Sequence, residues 1–330
     1  MDHSCARRCW PDDHCDAPFQ HTEELLVMKW LLSALICLCA CQKAPKAPLS
    51  HFSGSAFEIG YHIQLGAKLT EEEEKDIASA IQAIFTQVHT TFNHWNPDSE
   101  ISKFNAHPQM SAFKPSSELM QLIKFSSTLN VITQGHFDPA IGSLIEALKE
   151  NKDRGNYGWN QLLIVDKELV KATDVHLDFD GIVKGHAVDL IVAKLASMGY
   201  ENIYVEWGGE IRTMGSHPAN RPWRILVRGK EELSIDLTDG ALATSGTYEQ
   251  NYDGKTHIID PRSGNALSVE HPITSVTVKA PSCALADALA TALMVFETPE
   301  QALAFAEKLK MSLPEITVWV NAKEYEDSHL

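Results

Sequence analysis

Cysteine placement limits what most of this chain can fold into. Six of the seven cysteines lie at or before position 41, and the only one beyond it is Cys283. A single thiol closes no disulfide within its own segment, so residues 42–330 must be held by a packed core rather than a disulfide framework. Composition allows this: 44% of the 330 residues are hydrophobic and 22% are charged, which suffices for a large core.

One stretch runs apolar without interruption, the 12 residues from Trp30 to Cys41 (WLLSALICLCAC). That is too short to cross a bilayer as a helix and suits the core of a signal peptide, with Lys29 supplying the preceding positive charge. Leu38-Cys39-Ala40-Cys41 resembles the bacterial lipobox, which implies cleavage before Cys41 and acylation of its thiol. Cys39 and Cys37 lack the small residue that Ala40 provides, having Leu38 and Ile36 before them. An ordinary secretory signal or a buried apolar segment is the plainer reading. Asp2, Asp12, Asp13, Asp16, Glu23 and Glu24 outnumber Arg7 and Arg8 upstream, the wrong balance for a signal n-region, so translation is expected to start at Met28. Cys5, Cys9, His14 and Cys15 match no common zinc spacing.

The expected organisation is therefore residues 1–27 outside the native protein, 28–40 as signal peptide, 41–50 as lipidated tether and 51–330 as the catalytic domain. The tether's two Ala-Pro pairs suit an extended spacer. Such a chain would be anchored by lipid to a bacterial membrane and face the periplasm. Downstream of Cys41 there are 25 basic and 38 acidic residues, a net charge of −13, which argues against a nucleic-acid partner.

Helical periodicity is clearest after Thr70, where Thr70 and Glu73 form a capping box ahead of Ile77, Ile81, Ile84, Phe85 and Val88. Ala56 to Leu65 reads as one extended segment before it. Helices are also predicted from Ser117 to Val131 and from Pro139 to Leu148, with a loop over residues 150–160. Leu162–Val165 and Val175–Phe179 read as strands, and Gly181 to Gly185 leads into a helix that Gly199 stops. Further strands are predicted at Ile203–Glu206, Trp223–Val227, Lys255–Ile259 and Thr274–Lys279. Helices at Ala284–Phe296 and Pro299–Leu309, the second behind a Thr298/Gln301 capping box, precede a last strand at Ile316–Val320. Helices early and late with strands between them predict an α+β fold. No internal repeat, Walker-type loop or GxGxxG occurs.

Several segments could carry chemistry. Asp287 and Thr291 stand four apart in an alanine-rich helix, so their oxygens share a face, suited to Mg²⁺ if buried and to simple helix-dipole stabilisation if exposed. Leu177 to Asp189 (LDFDGIVKGHAVD) sets Asp178 and Asp180 before a glycine turn and Lys184 at a helix start; an anion could meet Lys184 and the backbone amides, while a capping turn is the plainer reading. Ala243-Thr244-Ser245-Gly246 and Trp207-Gly208-Gly209-Glu210 offer backbone close to a ligand or are plain turns. His257, beside Asp260, is the best-placed candidate base, although a lone strand histidine is more often structural. No Ser/His/Asp or Cys/His nucleophile motif occurs.

In order along the chain, these segments resemble the FAD:protein FMN transferase family, ApbE. The likeness covers about residues 51–300 through Asp98–Asn105, Gly135–Pro139, Leu177–Asp189, Trp207–Ile211, Thr244–Gly246, His257–Gly264 and Ala286–Thr291. It implies an ApbE-like α+β fold of mixed or antiparallel sheets with packed helices and an FAD cleft between two subdomains. It also implies an enzyme that uses Mg²⁺ to cleave FAD and transfer FMN to a threonine hydroxyl of a target protein, releasing AMP. Carried over by position, Trp95, His136, Phe137, Asp138, Asp178, Lys184, His257 and Ile258 would contact FAD. Asp287, Thr291 and the backbone carbonyl of Gly181 would hold the metal, and His257 would serve as base toward the incoming hydroxyl. Expected targets are exported or membrane redox subunits, such as those of sodium-pumping NADH:quinone reductase. Phe57-Glu58-Ile59 stands where the family usually has Met-Gly-Thr, and a short loop after Leu148 implies a more open cleft wall. An FAD pyrophosphatase giving FMN and AMP, or a non-catalytic FAD-binding lipoprotein, are the competing readings.

The anchor is testable apart from the chemistry. Cys41→Ser is expected to move the protein from the membrane fraction to the soluble fraction of the native host, and mass spectrometry should find the wild-type N-terminus acylated at Cys41.

Overall fold

The computed structural model describes residues 48–227, 233–247, 251–252 and 254–323. The expectations for residues 1–27, the signal peptide, Cys41 and most of the tether lie outside them. The described chain opens with a hairpin rather than a single extended segment: β1 (Ser50–Ala56) pairs antiparallel with β2 (Ile59–Leu65). Phe57 and Glu58 reverse the chain with φ of +54° and +65°, the left-handed backbone that two-residue hairpin loops need and glycine usually supplies.

The capping box closes as predicted at the start of α1 (Glu71–Thr91), with the Thr70 side chain accepting from Glu73 N–H and the Glu73 carboxylate accepting from Thr70 N–H. Next come α2 (Glu100–Asn105), capped by Ser99, β3 (Ala112–Phe113) and α3 (Ser117–Ile132), capped by Ser116. The helix predicted from Pro139 begins later, as α4 (Gly142–Glu150). Asp138 explains the delay. Its carboxylate accepts from Ala140 N–H and from Trp159 N–H, both at 2.8 Å, and so holds a turn before the helix.

β4 (Leu162–Val165) and β5 (Glu168–Lys171) join β3 in a small sheet ordered β3-β5-β4. Val175–Phe179 is not a strand. Its backbone groups bond outside any ladder: Asn105 donates to the Leu177 carbonyl at 2.9 Å and accepts from Leu177 N–H at 2.8 Å, while Asp178 N–H reaches the Pro139 carbonyl. This pinned segment feeds α5 (Val183–Ser197), which ends before Gly199 at φ +96°.

Then follow β6 (Ile203–Trp207), β7 (Glu210–Met214), the paired β8 (Trp223–Val227) and β9 (Leu233–Leu237), and β10 (Gly240–Gly246). β11 (Asn251–Tyr252), β12 (Lys255–Asp260) and β13 (Asn265–Ser268) form another small sheet. The chain continues with β14 (Ile273–Ala280), α6 (Cys283–Met294), α7 (Pro299–Lys310) and β15 (Thr317–Ala322). The sequence pattern did not reveal α2, β3, β5, β7, β9, β10, β11 or β13.

Seven strands form the main sheet in the order β1-β2-β6-β7-β10-β14-β15, with every neighbouring pair antiparallel. Helix α6 packs on β10 and β14, α5 packs on α6, β6 and β7, and α1 packs on α5. This is the α+β arrangement that the sequence implied. Every residue of α6 except Thr291 is buried, as expected of a helix apolar all round with sheet on one side and helix on the other. Among the described residues, no helix is long and apolar enough to cross a membrane.

Asn105 holds both backbone groups of Leu177, so Asn105→Ala should leave them without partners. A loss of about 1–3 kcal/mol is expected in denaturant unfolding, and an unchanged midpoint would show that the segment is held elsewhere.

Candidate active site

The site is organised where α5 crosses the start of α6. Gly185 makes that crossing possible, because a Cβ there would lie 2.4 Å from the Cys283 carbonyl oxygen. Asp189, one turn further along α5, accepts from Cys283 N–H at 2.8 Å and Ala284 N–H at 2.9 Å, satisfying donors at the α6 N-terminus. Arg212 pairs with the same carboxylate.

Asp287 sits beneath this crossing, 3% exposed, and accepts from Gly185 N–H at 3.0 Å. Burial raises its carboxyl above the ordinary range, against the pull of the Lys184 charge and the Gly185 hydrogen bond. One turn on, Thr291 places its hydroxyl 3.1 Å from the Ser245 hydroxyl, and a Cβ on Gly181 would lie 3.3 Å from the Thr291 oxygen. The three predicted metal residues thus fall in one neighbourhood. A buried carboxylate with Gly185 as its only hydrogen-bond donor among the described residues is underpaired, and the oxygens at hand are hard, so these residues fit Mg²⁺.

Lys184 lies beside them and bonds Glu210 Oε1 at 2.6 Å. Glu210 is 1% exposed, and its Oε2 is buried with no hydrogen-bond partner among the described residues. Burial pushes the acid up to about 8; Lys184 opposes the rise and Asp287 adds to it. Glu210 follows the turn of Gly208 and Gly209, at φ +64° and +97°, which joins β6 to β7. A Cβ on Gly208 would lie 2.8 Å from Ile59 Cγ2, 3.5 Å from Glu210 Oε2 and 3.6 Å from Lys184 Cδ.

An outer rim adds charge and aromatic surface. His94 Nε2 is 3.8 Å from Asp178 Oδ2 and His94 Nδ1 is 3.6 Å from Asp180 Oδ1, and one ligand atom from each residue fits within 4.8 Å of the others. Desolvation, then the Asp178 carboxylate, hold Asp180 up at about 6; with 64% of its side chain open, the neighbouring charge is the better founded cause. Trp95 is 70% exposed, with the His94 ring centroid 4.7 Å away and Lys149 Nζ 4.8 Å over its ring.

The other predicted contacts divide. Phe137 is buried and reaches the floor, its ring edge 3.5 Å from where a Gly181 Cβ would be. His136 instead packs inside the wall, stacked on Phe296 at 4.2 Å between centroids. Burial lowers its pKa, and the neutral tautomer follows from its partners: Nδ1–H donates to the Thr133 carbonyl at 2.6 Å and Nε2 accepts from Arg262. Asp138 has both oxygens committed to the turn described above. On β12, His257 is exposed and Ile258 buried; the turn that follows is knitted by Asp260 to Arg262 and Ser263 N–H and braced by Arg154. Arg262 therefore ties the histidine strand to the wall containing His136.

Glu210, Ser245 and Asp189 belong to this neighbourhood and are marked by the sequence only as members of their segments, whereas His94 and Lys149 are not marked at all. Glu210 stands directly after a Gly-Gly hairpin turn, which marks the turn but not the burial of the acid. His94 and Lys149 have no local signal, since their approach to Asp178 and Trp95 is purely tertiary.

A family model described as the ApbE family matches residues 57–316. The FAD:protein FMN transferase of Chlamydia pneumoniae is 37% identical over 295 residues, covering 83% of this chain and 93% of that protein. The protein of that name from Vibrio cholerae serotype O1 is 33% identical over 307 residues, covering 84% and 90% respectively. Among solved structures, the flavin transferase ApbE from Vibrio cholerae aligns with a TM-score of 0.74 at 30% identity, over 84% of this chain and 94% of that one. The ApbE protein from Thermotoga maritima aligns at 0.70 and 27% identity, over 85% and 98%.

The buried acid gives a signed pH effect. Between its ordinary value of 4.5 and about 8, Glu210 holds a proton in the folded chain that it has lost in the unfolded chain, so its contribution to stability falls as pH rises through that window. Glu210→Gln should remove this slope. Its melting temperature is expected to gain on the parent from about pH 5 to about pH 8, and a constant difference would exclude Glu210 as the titrating group.

Proposed function

Because this chain belongs to the ApbE family, we propose that it is an FAD:protein FMN transferase that works with Mg²⁺, modifies a threonine hydroxyl of its target and releases AMP. The observation carrying this reading is the underpaired carboxylate of Asp287, buried beside Thr291, Gly181 and Lys184. Phosphoryl transfer asks a protein mainly for positioning and for positive charge around the pyrophosphate.

Asp287, Thr291 and the Gly181 carbonyl would hold Mg²⁺, which when bound neutralises charge on the pyrophosphate. Lys184, at the start of α5, would meet a phosphate together with amides of the helix N-terminus. Trp95, open to solvent and flanked by His94 and Lys149, offers a stacking surface for one of the two ring systems of FAD. Asp178 shapes the rim, while His136 and Asp138 act from behind by holding Arg262 and the Trp159 turn.

In the transfer, the threonine oxygen attacks the phosphorus of the FMN half. The bond from that phosphorus to the bridging oxygen breaks, AMP departs, and the hydroxyl proton passes to His257, which stands exposed on β12. Lipidation at Cys41 would keep the enzyme at a bacterial membrane on the periplasmic side, near exported or membrane redox subunits such as those of sodium-pumping NADH:quinone reductase. Support for the anchor and for these targets comes from the lipobox-like tetrapeptide and from the family likeness.

The decisive assay incubates the protein with FAD, Mg²⁺ and a candidate target domain, then follows covalent flavin by in-gel fluorescence. A labelled target is expected, with Asp287→Ala reducing labelling to background and His257→Ala slowing it by about 100-fold or more. AMP release without a labelled target would favour the pyrophosphatase, and intact FAD after long incubation would favour a binding protein. Full activity of Asp287→Ala would sink the metal assignment.

A further inference from the structure

Glu210 is the buried group for which the transfer reaction, as drawn above, has no use. One oxygen bonds Lys184 at 2.6 Å; the other, Oε2, is buried without a hydrogen-bond partner among the described residues, in a side chain 1% exposed. Buried acceptors left in this state are rare in folded proteins. Oε2 lies under the Gly208 turn: a Cβ at Gly208 would stand 3.5 Å from it, 3.6 Å from Lys184 Cδ and 2.8 Å from Ile59 Cγ2, so only a glycine lets this turn pass so close to the acid. Lys184 borders the same turn and, on the flavin transferase reading on which this inference rests, faces a phosphate.

We propose that Glu210 Oε2 binds a sugar hydroxyl of FAD adjacent to the phosphate that Lys184 contacts, making Glu210 a residue that recognises substrate directly. On each side of FAD's phosphates a methylene leads into hydroxylated carbons, those of the ribityl chain on one side and of the adenosine ribose on the other. A hydroxyl suits either protonation state of the acid, because it donates to a carboxylate and accepts from a carboxylic acid. A phosphate oxygen would suit only the protonated acid. With Oε1 on Lys184 and Oε2 on the hydroxyl, one side chain would set the distance between phosphate and sugar.

The test measures binding of FMN, ADP and inorganic pyrophosphate to the full chain and to Glu210→Gln by titration calorimetry in the presence of Mg²⁺. A loss of about tenfold confined to FMN assigns the ribityl hydroxyl, and the same loss confined to ADP assigns the ribose, with pyrophosphate affinity changed less than about twofold in either case. An equal loss for all three ligands would mean that Glu210 acts only through Lys184, and no loss would mean that Oε2 meets no ligand; each overturns the proposal. Because the variant could alter folding, the unmodified chain is also titrated with FMN and ADP analogues that each lack one hydroxyl. One analogue should bind about tenfold more weakly, and uniform binding across the set overturns the proposal. If the unmodified chain binds none of the three ligands, the flavin reading itself fails and takes this inference with it.

Discussion

The close crossing of α5 over the first turn of α6 is the contact on which the site depends. A backbone approach this tight is available only to glycine at position 185, and it is stabilised from both sides by carboxylates: Asp189 takes the amides of Cys283 and Ala284, and Asp287 takes the amide of Gly185. Each helix thus supplies an acid to the other's backbone. The geometry brings Lys184, Asp287 and Thr291 together without a loop between them, so the central groups ride on elements whose mutual position is fixed by hydrogen bonds and packing.

Charge sharpens the point. Asp180, Glu210 and Asp287 feel the charge of Lys184, with Asp178 beside Asp180 and Lys149 further out over Trp95. Asp180, Glu210 and Asp287 are held above their usual values by burial and by neighbouring carboxylates, a strain that a divalent cation would relieve. A pyrophosphate brings several negative charges to a site where Lys184 and Lys149 stand as cations, and this is the physical reason a metal belongs in the mechanism proposed.

Much of this was legible in the sequence, for reasons specific to each element. Local signals read true: the Thr70/Glu73 box, the Gly199 stop, and the four-residue spacing of Asp287 and Thr291 all survive in three dimensions. What failed depended on distant partners. Val175–Phe179 has a strand's composition, but Asn105, far away in sequence, takes the hydrogen bonds that a neighbouring strand would have taken. Pro139 looked like a helix start until Asp138 was seen to tie its turn to Trp159. Glu210 was quoted within its motif, yet nothing local reveals that a charged residue after a glycine turn will be driven into the interior.

Helix α6 also bears on how this site can change over time. Because sheet and helix enclose it, Thr291 is its one position not fully buried. Replacing any other residue of the helix demands repacking of the core, so a substitution at position 291 is the one on α6 expected to change the oxygen donor beside Asp287 while leaving the packing intact.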